Sequence, residues 1–502
     1  MRSSLSLALA AVLLLSLRPL QAQQTVRSRD LELHLAAGGG IAGLAVYGRA
    51  WPLADGAPSG LLLRDAAADG QFVPAGGALS AVAGGVKQSG TDEKLKLYFE
   101  ANYRPHGRAI AVDGLIQDLS GQDRAITVRY SLPVDAVGGT WWNDLLKGET
   151  ISGAVYQNVR GTGVGATGST SAYPWGAVSA EPGEICLGIP MDRFVVHRIS
   201  YNGQARVFNL DFDFGLSPLT KAFPSRADFA FVIYAADPRW GFRSATAGYY
   251  RLFPDAFTRR SEKEGLWMPF TDISKVENPE DFNFAYQEGA PNIPWDDARD
   301  ILSFRYISPH WAMLWMPQRL EKPTPEFIEQ KLAEDLNSED ATVRKRAQLI
   351  INSGAKNARG EHHYTIGRAH WAPHDTGELG WYAMYPANAD PDLAQLGNGP
   401  TTGSDTMASV ERELERYSKP GAYLDGFYFD GVDERPLDNY ATEHFQFAEA
   451  PLTFATDTKR PIMCGAFSSY KFLKRVAEKM RADGRFVIAN GVPSQFPFSA
   501  AF

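Results

Sequence analysis

The sequence predicts a multidomain β plus α/β protein. An antiparallel β-sandwich comes first, followed by a (β/α)8 TIM-like barrel that is incomplete at its C-terminal end. Three observations carry this. Through the first half, apolar and polar residues alternate in short runs separated by Gly, Asp, Asn and Pro. Near residue 245 the pattern changes to strand-like and helix-like segments in alternation, which implies parallel strands with helical crossovers. The chain has 502 residues, enough for two or three domains. The expected division is a signal peptide over 1–22, a sandwich over 23–245 and a barrel-like catalytic domain over 246–502.

The first residues, "MRSSLSLALAAVLLLSLRPLQAQQ", have the form of a secretory leader. Arg2 supplies the positive start, Leu5 to Leu17 the apolar stretch, and Leu20-Gln21-Ala22 a small residue at the cleavage point. The apolar stretch is short for a membrane span. The mature chain is therefore expected to be secreted or periplasmic, without stable membrane insertion. Cys186 and Cys464 are the only cysteines, lie far apart, and are not expected to pair. Net charge is −8 and no long basic run occurs, which argues against nucleic-acid binding.

In the first half, "DLELHLA", "KLKLYFEANY", "AIAVDGLIQDL", "AITVRYSLPV" and "ARVFNLDFDFG" are the strand candidates. "TAGYYRLFPDAFTRR" is a short helix or connector. Beyond it, "GLWMPF", "ILSFRYISP", "GWYAMYP", "GAYLDGFYFD", "RPIMCGAF" and "RFVIANG" are strand candidates. The helices are "TPEFIEQKLAEDL", "SEDATVRKRAQLIINSG" with Ser338 as cap, "SDTMASVERELERYS" and "SYKFLKRVAEKMRADG". About six strands fall short of the eight that a (β/α)8 barrel needs, so the barrel is expected to be unfinished. A doubly wound open sheet is the alternative, weakened by the lack of a GxGxxG loop.

"GAYLDGFYFDGVDE" places acids inside an apolar strand. At a period of two, Tyr428 and Asp430 share one face, and Asp425 points to the other. Asp430 ends the strand, on the edge where a parallel barrel does its chemistry. Asp425 is read as a packing carboxylate. Asp433 and Glu434 follow in the loop.

The stretch "DGFYFD" after a helix, followed by a loop acid, resembles the fourth-strand region of carbohydrate-active (β/α)8 enzymes. These include α-glycosidases and endo-α-N-acetylgalactosaminidase-like enzymes, several of which carry an N-terminal mutarotase-like β-supersandwich. "GLIQDLSGQDRAITVRYSLPVDAVGGTWWNDL" resembles a strand pair of that supersandwich. The resemblance implies a glycoside hydrolase acting on an oligo- or polysaccharide, with Asp430 as nucleophile and no cofactor. A retaining enzyme of this kind needs a second carboxyl about 5–5.5 Å away, an inverting one about 6.5–9.5 Å. The acid/base that relatives carry after a later strand has no counterpart between Phe486 and Phe502. It is expected either beyond Phe502 or among Asp272, Glu288, Asp375, Glu378 and Glu434, of which Glu434 is nearest in sequence. Trp267, Tyr306, Tyr382, Tyr428 and Asn490 are the candidate sugar-binding residues. A non-catalytic carbohydrate-binding or structural surface protein on a degenerate barrel is the alternative.

"HHYTIGRAHWAPHD" gathers His362, His363, His370 and His374. Pro373 opposes the helix that an i,i+4 metal pair would want, and no metal site is expected. No GxSxG elbow occurs, which disfavours a serine hydrolase of the α/β class.

Overall fold

The computed structural model describes residues 24–316, 321–372, 379–432 and 437–490. The leader and the candidates Glu434, Asp375, Glu378 and His374 lie outside them, as does Asp433.

The first half is an antiparallel sandwich. A nine-stranded sheet runs from Gly148–Thr150 at one edge to Ala78–Val82 at the other. A six-stranded sheet runs from Val155–Gln157 to Val73–Pro74, and a four-stranded one covers residues 24–50. Alternation explains the packing. In Leu31–Leu35 the three leucines are buried while Glu32 and His34 face outward. The two large sheets meet ring to ring: Phe212 lies 5.5 Å from Phe229, and Tyr130 lies 4.6 Å from Phe231.

Val207–Leu216 is buried on both faces, including Asp211 and Asp213. The reason is that the C-terminal half covers its outer face: Gly215 N–H donates to Leu452 O at 2.9 Å, and Thr453 Oγ1 to Asp213 O at 3.0 Å. The buried acids are neutralised locally. Arg129 forks onto Asp211 at 2.6 and 2.8 Å, and the buried Arg198 pairs with Asp213. Thr127 and the Ala166 N–H also donate to Asp213, each at 2.8 Å.

Helix α1 (Phe242–Leu252) packs on the sandwich. Tyr249 stacks on Trp175 at 4.5 Å, and Tyr234 donates to Ala245 O at 3.0 Å. Beyond it, five strands form one parallel sheet: β1 (Leu266–Met268), β2 (Phe284–Glu288), β3 (Leu302–Ile307), β4 (Gly426–Phe429) and β5 (Phe486–Ala489). Their spatial order is their chain order. A doubly wound sheet reverses strand order at a switch point; this one does not, and it reads as one arc of a barrel. Trp267 on β1 and Tyr428 on β4 have ring centroids 5.7 Å apart. Across a flat sheet three strand spacings come to roughly 14 Å, so the sheet curls and its inner face is concave.

Register places Trp267, Glu288, Tyr306, Tyr428 and Ile488 on that inner face. Arg305 points outward, donating to Glu413 at 3.0 Å on helix α2 (Thr402–Arg416). Phe427 and Phe429 pack outward among Leu473 and Val476 of helix α3 (Gly465–Ala482). Gly426 permits β4 to approach β5, since a Cβ there would lie 2.0 Å from Phe486 O.

Several expectations are corrected. The strand expected over "GAYLDGFYFD" is split: Ala422–Tyr423 pairs back with Ser418–Lys419, and β4 begins only at Gly426. Asp425 between them accepts the Ser303 N–H at 2.8 Å, and burial pushes its carboxyl up to about 6. "GWYAMYP" and "RPIMCGAF" do form strands, but in small antiparallel sheets outside the arc. The helix Ala341–Ser353 is capped by Asp340, which accepts from Thr342 and Val343, rather than by Ser338. Among the described residues the arc has five strands rather than about six. Both cysteines are buried and are not joined to each other by a disulfide.

Candidate active site

Asp430 lies at the C-terminal end of β4, between the ends of β3 and β5. It directly follows β4, and its N–H donates to Ile307 O at 3.3 Å, extending the β3–β4 pairing by one residue. Tyr306 donates its hydroxyl to one carboxyl oxygen of Asp430 at 2.6 Å. Asn490, one residue beyond β5, donates its amide to the other at 2.8 Å. Donors from both neighbouring strands therefore fix the plane of the carboxylate. Burial and the bond to Asp430 push the Tyr306 phenol above its ordinary range, so it remains a donor at neutral pH.

Glu288 ends β2 on the same inner face and is 1% exposed. Burial first, and then the charge of Asp430, push its carboxyl up to about 7. One of its carboxyl oxygens has no hydrogen-bond partner in the protein. The two acids thus differ in their surroundings: Asp430 is held by two donors, whereas Glu288 is buried and its carboxyl is pushed up to about 7.

Aromatic rings line the mouth. Trp267 lies over Tyr428 with planes 11° apart, and Tyr428 continues to Tyr306 at 5.9 Å. Burial and the nearby acids push the Tyr428 phenol above its ordinary range as well. Phe270 adds a ring 5.7 Å from Tyr306 and is largely exposed. It is held out by a tight turn in which φ is 55° and Thr271 N–H donates to Pro269 O.

Of the candidates from the sequence, Asp430, Trp267, Tyr306, Tyr428 and Asn490 are brought together here. Tyr382 is placed elsewhere, on the antiparallel sheet inserted between β3 and β4, with Trp315 and Trp371 as ring neighbours. Asp272 caps the turn Ile273–Lys275, accepting from the Ser274 N–H and hydroxyl at 3.0 and 2.6 Å. His363 lies 3.8 Å from Asp438, and His362 packs edge-on to Tyr385. Among the described residues no group of three or more His, Cys, Asp or Glu is placed to hold a metal, and no helix is long and apolar enough to cross a membrane. Phe270 went unsingled in the sequence because its turn depends on a backbone conformation that a bulky residue rarely adopts. Glu288 was one of several acids; only the register of β2 selects it.

No family model and no curated protein sequence matches the chain. Among solved structures, the chain is similar to the GH36 alpha-galactosidase AgaB from Geobacillus stearothermophilus. That match has a TM-score of 0.53 and 10% identity, covering 96% of this chain and 73% of the other. A variant of AgaA from the same organism, in complex with stachyose, gives a TM-score of 0.52 at 10% identity, covering 96% and 74%. Another AgaA variant, in complex with raffinose, gives 0.50 at 10% identity, covering 95% and 73%. At this identity the likeness is one of fold, and its coverage takes in the sandwich and the parallel sheet alike.

Proposed function

We propose that the protein is a glycoside hydrolase whose parallel sheet is an arc of a (β/α)8 barrel and whose reactive carboxylate is Asp430. The observation that carries this is the position of Asp430: at the C-terminal end of the fourth parallel strand, clamped by Tyr306 and Asn490, on the face that carries the stacked rings of Trp267, Tyr428 and Tyr306. In a retaining sequence, the carboxylate attacks the anomeric carbon while the glycosidic C–O bond breaks and an acid protonates the departing oxygen. Water then cleaves the glycosyl ester, giving its proton to the same acid's conjugate base. Trp267 and Phe270 offer apolar faces to a sugar ring. The fold likeness to alpha-galactosidases makes aryl α-galactosides, raffinose and stachyose the first substrates to try.

We assign the acid to Glu288, which burial keeps protonated up to about pH 7. Because the protonated form is the active one, turnover falls as pH rises through that value. Glu288→Gln should lower kcat/KM on raffinose by about 10²–10⁴-fold. A nitrophenyl galactoside, whose leaving group needs little protonation, should lose far less, and the basic limb of its pH profile should vanish. Equal losses on both substrates would show instead that Glu288 only binds sugar. Tyr306→Phe removes a hydrogen bond to a charged group, and kcat should drop by about 10–100-fold with KM little changed. Steady-state kinetics measures both; a change confined to KM would contradict the clamping role.

Export follows the leader over residues 1–22 in the same reading. Amino-terminal sequencing of the exported protein should begin near residue 23, and retention of Met1 would refute it.

A further inference from the structure

The turn after β1 holds a bulky ring in a place that the core does not require. Phe270 is 69% exposed, yet it stands at a φ of 55°, a conformation that costs a phenylalanine energy and that glycine adopts freely. Gln287 of β2, which is fully buried, fixes the turn from both sides. Its amide group donates to Met268 O at 3.2 Å before the turn, and its side-chain oxygen accepts the Ile273 N–H at 3.2 Å after it. A strained turn held this firmly, with a ring that stays largely outside the core, places that ring for contact with a ligand.

The ring belongs to the Asp430 site. It lies 5.7 Å from Tyr306, whose hydroxyl donates to Asp430 at 2.6 Å. Its backbone rests against Gly289, the residue after Glu288, where a Cβ would lie 3.9 Å from Phe270 Cα. Exposure rises across the rings of the site, from 3% at Tyr428 to 46% at Trp267 and 69% at Phe270, so Tyr428 is floor and Phe270 is rim. For displacement, the anomeric carbon must come within about 3–3.5 Å of the attacking carboxylate oxygen. The sugar that carries it therefore fills the deep end, and the group across the scissile bond is left at the rim. A phenyl face there suits the apolar face of a pyranose.

We propose that Phe270 sets leaving-group specificity: its ring stacks on the sugar residue across the scissile bond, which makes the leaving group a saccharide. This rests on the hydrolase reading above. The displacement itself stays with Asp430 and Glu288.

The test is isothermal titration of the full chain carrying Asp430→Asn, which stops turnover of the bound sugar. Raffinose and maltotriose are each compared with a monosaccharide they contain, galactose and glucose. At least one trisaccharide should bind at least about tenfold more tightly than its monosaccharide. Adding Phe270→Ala should remove most of that advantage, and Phe270→Tyr should keep it. Phe270→Gly should lose the advantage too, while its unfolding temperature rises by about 1–3 °C because the strain at this φ is relieved. The proposal is overturned by an advantage that survives Phe270→Ala, by the lack of any advantage for either trisaccharide, or by an unfolding temperature several degrees lower in Phe270→Gly, which would make the ring a packing residue. Binding needs no turnover, so a chain that shows the advantage while its wild type cleaves neither sugar sinks the hydrolase reading and leaves the contact at Phe270 standing.

Discussion

Asp430→Asn is expected to lower turnover by at least about 10³-fold, with the fold intact. The substitution keeps size and both hydrogen-bonding positions but removes the charge and the nucleophilic oxygen. Tyr306 can still donate to the amide oxygen. The Asn490 amide would face the new N–H₂ group or force a flip, a local cost on an open edge. Thermal unfolding should therefore stay close to wild type, while hydrolysis of any substrate that the wild type cleaves disappears. Near-normal rates in this variant would remove Asp430 from the chemistry.

The largest stability effect is expected far from the site, at Asp213. Its carboxylate is fully buried beside Arg198, itself 4% exposed. Burial alone would push the carboxyl up. The Arg198 charge and the donors from Arg198, Ala166 and Thr127 outweigh it and hold the group below its ordinary value. Asp213→Ala leaves a buried guanidinium with only a shared contact to Asp211 at 3.4 Å, and should cost about 3–5 kcal/mol. Urea unfolding at neutral pH measures it; a loss below about 1 kcal/mol would show that the network tolerates removal. The pH dependence has a fixed sign. The folded value lies below the ordinary 3.8, so the stabilisation is fully present above 3.8 and is lost as pH falls through the folded value. The variant should lack that component of acid destabilisation. Thr453 bonds the backbone carbonyl of Asp213, so that contact between the two halves of the chain should survive the substitution.

Local periodicity made one part of the site legible. Alternation along "GFYFD" put Tyr428 and Asp430 on one face and located the acid at a strand end, both features of a single short segment. Partnerships between distant segments were not legible. The strand Phe284–Glu288 is five residues long and mixes Tyr, Gln and Glu with two apolar residues, too weak a pattern to stand out, and Glu288 gained its place only through the register of that strand. "GWYAMYP" has the same composition as a barrel strand; only its antiparallel pairing with Trp311–Met316 takes it, and Tyr382, away from the arc. The break at Asp425 could not be read because its cause is a hydrogen bond from Ser303, more than a hundred positions away. Likewise Asp211 and Asp213 look like polar positions on a half-solvated strand, since the segment that buries them lies in the other half of the chain.

The most direct test of the account is covalent trapping. The protein is incubated with a fluorinated glycosyl fluoride that forms the glycosyl-enzyme quickly and hydrolyses slowly, and is then analysed by intact mass and peptide mapping. One sugar per chain is expected, attached to the peptide carrying Asp430 and absent from Asp430→Asn. A label on a different carboxylate, or no label in a protein that turns over the matching substrate, would contradict it.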